Sequence, residues 1–184
     1  MKKLFSMFSR KNRTLESKND SKYFEGLELL SQANELFHKQ MKDEEALSLY
    51  DRAVECGVEE AYINRAFCLQ SLKYHYEAIE DFDKAIQNNP DDANLYFGRA
   101  NSKSAIVDFG GRVADIRIAV KLSGLKSNSN EIYNTAVKEQ GYKSAEEFYL
   151  MQLSMATQIY DMADKNPLVK KKFIENMDVK IRKI

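Results

Sequence analysis

The chain has 184 residues, 28 basic and 28 acidic side chains, and a hydrophobic content of 43%, which suits one compact domain with short appendages. It has no Trp, two Pro and seven Gly, too little turn chemistry for a β sandwich, which needs turn residues every ~8–12 positions; the expected class is all-α. The neutral total hides an uneven distribution: residues 1–13 carry five bases and no acid, and residues 168–184 carry six bases against two acids, so an acidic body lies between basic ends.

Residues 1–21 read as a basic, disordered leader. Its apolar side chains Leu4, Phe5, Met7 and Phe8 are interrupted by Ser6 and closed by Arg10, short of the apolar core of a secretory signal. With their flanking bases they provide weak contact with a membrane surface at best. No window of the chain approaches the ~18 apolar residues of a membrane span. Cys56 and Cys68 lack CxxC or Cys/His metal spacing, so reduced thiols and a cytoplasmic location are expected.

Residues 22–125 repeat. Tyr62, Ala66 and Leu69 are followed by Ala78, Phe82 and Ala85 and then Pro90; a shift of 34 gives Tyr96, Ala100 and Lys103, then Arg112, Ile116 and Ala119. One unit earlier, Leu29 and Ala33 precede Ala46, Tyr50 and Ala53, with one extra residue between the two halves. Small residues recur where two helices must approach, and large ones fill the space beside them. Apolar spacing of three and four within each half is the helical period. The punctuation agrees: Asn89-Pro90, Gly57 and Gly124 mark junctions, while Asp43, Glu44, Glu45, Glu59, Glu60, Asp91 and Asp92 fall in first turns, where the helix dipole favours anions. Gly110-Gly111 reads as the tight turn inside the third pair. Arg65 with Asp81, and Arg99 with Asp115, recur sixteen apart, the spacing of an ion pair between the helices of a unit.

The run Ala61-Tyr62-Ile63-Asn64-Arg65-Ala66-Phe67-Cys68-Leu69, continued through Glu77-Ala78-Ile79-Glu80-Asp81-Phe82 to Asn89-Pro90, resembles the tetratricopeptide repeat (TPR) family. The resemblance covers residues 26–124 and implies an α-α superhelix of three TPR-like helix pairs. The third copy departs from the family, with Lys103 at a usually large apolar position and Arg112 at a usually small one. The resemblance further implies that the first helix of each pair lines a concave groove for an extended or helical peptide. On this chain those positions are Leu30, Asn34 and Phe37 in the first pair, Ile63, Asn64, Phe67 and Gln70 in the second, and Asn94, Phe97, Asn101 and Ser104 in the third. Asparagines pair with a peptide backbone as donors and acceptors, and Phe67 and Phe97 suit anchor roles. Chaperone-binding members grip an acidic C-terminal tail with two asparagines and three bases. Asn34 and Asn64 match, but Leu30, Asn94 and Gly98 stand where bases belong, so no acidic-tail clamp is expected.

Residues 126–184 are read as C-terminal capping helices. A short helical pattern over 131–140 ends at Gly141. Ser144 and Glu147 then form a capping box that starts a helix at Ala145. From Phe148 to Ala163 its apolar residues cover more than half the circumference, so it must be buried on more than one side. Asn166-Pro167 opens a last helix with Val169, Phe173, Met177 and Ile181 at i, i+4 spacing. Repeat arrays need such caps. Two alternatives stay open: these helices fill the groove themselves, or they pair two copies into a homodimer.

Chemistry is not legible. His38 and His75 have no metal-ligand or triad partner at suitable spacing, and no phosphate-cradling glycine pattern is present. The expectation is no enzyme activity, no catalytic residue, no metal and no cofactor. The acidic body speaks against nucleic acid. The function expected is a protein-protein interaction scaffold whose partner is another protein or peptide. The alternative is a structural protein that self-associates through its C-terminal helices, at a membrane surface.

Overall fold

The computed structural model describes residues 2–124 and 137–182, with side chains from residue 20 onward. Among the described residues the regular elements are helices: α1 (Lys2–Gln40), α2 (Asp43–Glu55), α3 (Ala61–Ser71), α4 (His75–Asn88), α5 (Ala93–Ala105), α6 (Phe109–Ser123), α7 (Ala145–Lys165) and α8 (Pro167–Glu175). The all-α expectation is met. The leader side chains up to residue 19, and most of the short helix expected over 131–140, lie outside the described residues. The chain divides into two compact units, residues 1–68 and 69–184.

In the first unit α1 and α2 form an antiparallel pair. Tyr50 donates its hydroxyl to Asn34 Oδ1 at 2.8 Å, and Arg52, two residues further along α2, reaches back to Glu25 at 3.4 Å. The repeat pattern explains the closeness: Ala33, Ala46, Tyr50 and Ala53 have no exposed surface. Gly26 permits the tightest approach, since a Cβ there would lie 2.6 Å from both Cys56 Cβ and Val58 Cγ2. Gly57, at φ +86°, ends α2. Its N–H donates to Val54 O at 2.9 Å, and that of Val58 donates to Ala53 O at 3.2 Å, the two bonds of a Schellman cap. Val58 thereby turns inward onto a cluster with Leu29, Ala53 and Ala61, the last being the first residue of α3.

In the second unit Ala78, Phe82 and Ala85 bury one face of α4, and α5 pairs antiparallel with α6. Arg99 grips the buried Asp115 through two bonds, Nε to Oδ2 at 2.9 Å and Nη2 to Oδ1 at 2.7 Å, as the sixteen-residue spacing led one to expect. It also pairs with Asp83 of α4. Arg65 in the first unit does the equivalent, pairing with Asp51 of α2 at 3.0 Å. Each guanidinium also sits 5.5 Å from the ring centroid three residues before it, Tyr62 or Tyr96. Lys103 departs from the family for a local reason: its ammonium lies 2.8 Å from Asp115 Oδ2. An ion pair therefore replaces the usual apolar contact.

The turns within the pairs repeat too. Met41, Lys73 and Val107 all have positive φ, 54°, 68° and 64°. At Lys73 and Val107 the following residue donates back to Leu69 O or Lys103 O at 2.8 Å, so a helix-capping geometry normally filled by glycine is held here by other side chains.

Two expectations need correction. Gly110 and Gly111 do not form the turn; they lie in the first turn of α6, whose N-cap Asp108 accepts from Gly111 N at 2.9 Å. A Cβ at Gly111 would collide with that carboxylate. The last helix also stops at Glu175, so Met177 and Ile181 do not extend its face; residues 177–182 run on without regular structure. The starts of the C-terminal helices are as read: Ser144 Oγ accepts from Glu147 N at 3.2 Å, and Asn166 Oδ1 accepts from Leu168 N at 3.1 Å ahead of Pro167.

Candidate peptide-binding face

All eleven residues expected to line the groove are half-buried, neither core nor fully solvated. In the first unit, α1 carries Leu30, Asn34 and Phe37, and α3 carries Ile63, Asn64 and Phe67. Leu30 packs on the cluster of Leu29, Ala53, Val58 and Ala61, which joins the two helices that carry the strip. Phe37 lies edge-to-face on Tyr50 with ring centroids 6.4 Å apart. The hydroxyl of Tyr50 fixes Asn34 by its oxygen, leaving the amide NH2 as the donor that Asn34 can offer a ligand. Burial holds the Tyr50 phenol well above its ordinary range, so it stays a donor. No cation stands at a ligand-lining position of this strip.

In the second unit Gln70, Asn94, Phe97 and Ser104 are engaged by the chain itself. Gln70 donates to Gly98 O at 2.9 Å and to Ser102 Oγ at 2.8 Å, and Ser104 accepts from Arg112 at 3.2 Å. Burial alone depresses the Arg112 guanidinium, and its Nε is buried with no partner among the described residues. Asn94 Oδ1 accepts from the Tyr149 hydroxyl at 2.9 Å. Phe97 stacks against Phe148 and Tyr149 with centroids 5.2 Å from each. Helix α7 is thus laid on α5 and α6, with Tyr149 fully buried among Ala93, Ala119 and Leu122 and Ala156 among Ala100, Val113 and Ile116. The sequence pattern assigned Asn94 and Phe97 to a ligand and left open that the C-terminal helices fill the groove; it did not single out Tyr149 as their partner. The available signal was the breadth of the apolar surface of α7, which requires a second contact.

Among the described residues no helix is long and apolar enough to cross a membrane, and no group of three or more His, Cys, Asp or Glu could hold a metal. Cys68 is buried, its thiol 3.2 Å from Asp43 O.

No family model and no curated protein matches the chain. Among solved structures, the chain is similar to the TPR2AB-domain:pHSP90 complex of yeast Sti1, at 18% identity and a TM-score of 0.57. The match covers 84% of this chain and 55% of that one, so the chain spans about half the length of that relative. At this identity the likeness is one of fold, a TPR-like arrangement of helices.

Proposed function

We propose that this protein is a non-enzymatic interaction scaffold that binds a helical or extended apolar segment of another protein on the strip of α1 and α3. The observation that carries the reading is the seat of α7 on Phe97. One repeat earlier in register Phe97 corresponds to Ile63, and one before that to Leu30. A position that takes an aromatic-bearing helix in the third repeat recurs in the first unit as a half-buried aliphatic side chain. Asn34 and Asn64 supply carboxamides beside it, and Phe37 and Phe67 supply flat apolar surface.

The chemistry of the strip selects the ligand. Without cations it has nothing to pair with an acidic terminal carboxylate, so the partner segment is one that presents Phe, Tyr or Leu from a helix, as α7 does with Phe148 and Tyr149. The solved relative is a complex with pHSP90, which supports polypeptide recognition as the use of this fold and not the same ligand. The site is proposed to work in the cytoplasm, where Cys56 and Cys68 stay reduced.

Peptide display against the full chain, followed by Ile63→Asp and Leu30→Asp, tests the reading. Selected peptides rich in aromatics that lose at least tenfold in affinity on either substitution support it. Acidic C-terminal peptides bound in a salt-sensitive way would refute it.

A second reading has its own observation. On α7, Leu150, Met155 and Met162 stay about half exposed, the kind of apolar surface that pairs copies of a chain. Concentration-dependent dimerisation in sedimentation, abolished by Met155→Glu with Met162→Glu, would support self-association.

A further inference from the structure

Residues 177–182, which follow α8, are tied to the chain at two points. Lys180 N donates to Lys73 O at 2.9 Å, and Arg182 N donates to Glu77 Oε1 at 2.9 Å. The two backbone donors, two residues apart, are thus taken by one main-chain carbonyl and one side-chain carboxylate. Lys73 pairs with Asp178, and the Lys180 ammonium lies 5.7 Å from the Tyr74 ring centroid. Behind the start of this segment is a cavity lined by His75, Ser104, Val107, Phe173 and Met177.

The seat is better made than its occupant. No residue from 177 to 182 is buried, and Ile181, the largest apolar side chain near its end, is 76% exposed. The Lys73–Asp178 pair is about half exposed on one side and more on the other, where ion pairs contribute little. Glu77, by contrast, has its second carboxylate oxygen buried and unpartnered among the described residues. Such an acceptor is costly to leave unfilled, and a cationic side chain would fill it.

We propose that Lys73, Tyr74 and Glu77 form a second docking site, for an extended basic peptide with cationic side chains at alternate positions, and that residues 177–182 occupy it as a displaceable intramolecular ligand. An incoming segment repeats the two main-chain bonds, places one cation over Tyr74 and adds the missing donor to Glu77. The tail thereby sets a threshold: only a ligand that satisfies both oxygens of Glu77 displaces it. This site lies wholly in the second unit and is independent of the strip on α1 and α3.

The test uses the full chain. Lys180→Pro with Arg182→Pro removes both donating N–H groups and leaves Lys73, Tyr74 and Glu77 intact. A fluorescent peptide of residues 176–184 is the probe. Anisotropy is expected to show binding at least tenfold tighter to the double variant than to the wild-type chain, and loss of that gain when Glu77→Ala, which removes the acceptor of the Arg182 N–H, is added. A thermal melt of the double variant that matches wild type assigns the gain to the vacated seat. Equal binding to both chains, or binding indifferent to Glu77→Ala, overturns the proposal. A wild-type dimer that the two prolines dissolve overturns it as well, because the tail would then be seated on a second copy.

Discussion

The Tyr149 hydroxyl donates to Asn94 Oδ1 at 2.9 Å, and this bond ties α7 to the helix whose Asn94 and Phe97 would otherwise face a ligand. Tyr149→Phe leaves the carboxamide oxygen without its donor and should cost about 1 kcal/mol. Tyr149→Ala also empties the space between Ala93, Ala119 and Leu122 and should cost about 3–5 kcal/mol. Urea unfolding of the two variants separates the hydrogen bond from the packing.

Asp115 is 2% exposed and holds both Arg99 and Lys103. The first bond from Arg99, with burial opposing it, raises the guanidinium above its ordinary range. Asp115→Ala leaves two cations crowded in a dry site and should destabilise by about 3–5 kcal/mol. Adding Lys103→Leu should restore part of this loss, since it removes one stranded charge and returns an apolar residue to that position. A double-mutant cycle by urea unfolding measures the coupling.

Val107 sits at φ 64°, a conformation that a β-branched residue adopts only at a cost. Val107→Gly should raise stability by about 1 kcal/mol. Gly26→Ala should do the reverse, losing about 1–3 kcal/mol, because its Cβ would meet Cys56 and Val58 at 2.6 Å in a close-packed contact. Opposite shifts in melting temperature are expected for two changes that both exchange glycine with an aliphatic residue.

His75 gives the fold a pH dependence. Burial lowers its imidazole below the ordinary 6.5, with Lys73 acting in the same direction and Asp178 opposing; Ser102 Oγ lies 3.5 Å from Nδ1. The unfolded chain therefore takes up the proton first as the pH falls. The stabilisation is fully present above 6.5 and is lost as the pH drops below that value, until the folded imidazole itself titrates. The urea midpoint should fall between about pH 7.5 and pH 5.5, and His75→Gln should flatten that part of the profile.

The fold was legible because its determinants are periodic. Ala46, Tyr50 and Ala53 recur 32 residues on as Ala78, Phe82 and Ala85, the last two again 34 further on as Ile116 and Ala119, and each is buried. The Arg99–Asp115 pair was legible for the same reason. Gly110-Gly111 was not, because a glycine pair signals a turn locally, while here Asp108 caps a helix directly over it. The end of α8 was missed because Met177 and Ile181 continue the helical spacing, whereas Lys73 and Glu77 take the backbone N–H groups that follow. The partners of Asn94 and Phe97 lie more than fifty residues away at Phe148 and Tyr149; the broad apolar surface of α7 calls for a second contact but does not name these two. Which residues lie on the first helix of each pair could be read, but not whether the chain itself would cover them.

Methyl-labelled NMR of the full chain, titrated with a helical peptide obtained by display, tests the central claim most directly. The largest shifts are expected on Leu30 and Ile63, with Leu153 and Met155 of α7 undisturbed. Shifts confined to α7, or release of Tyr149 from Asn94 before any change at Leu30 and Ile63, would contradict it.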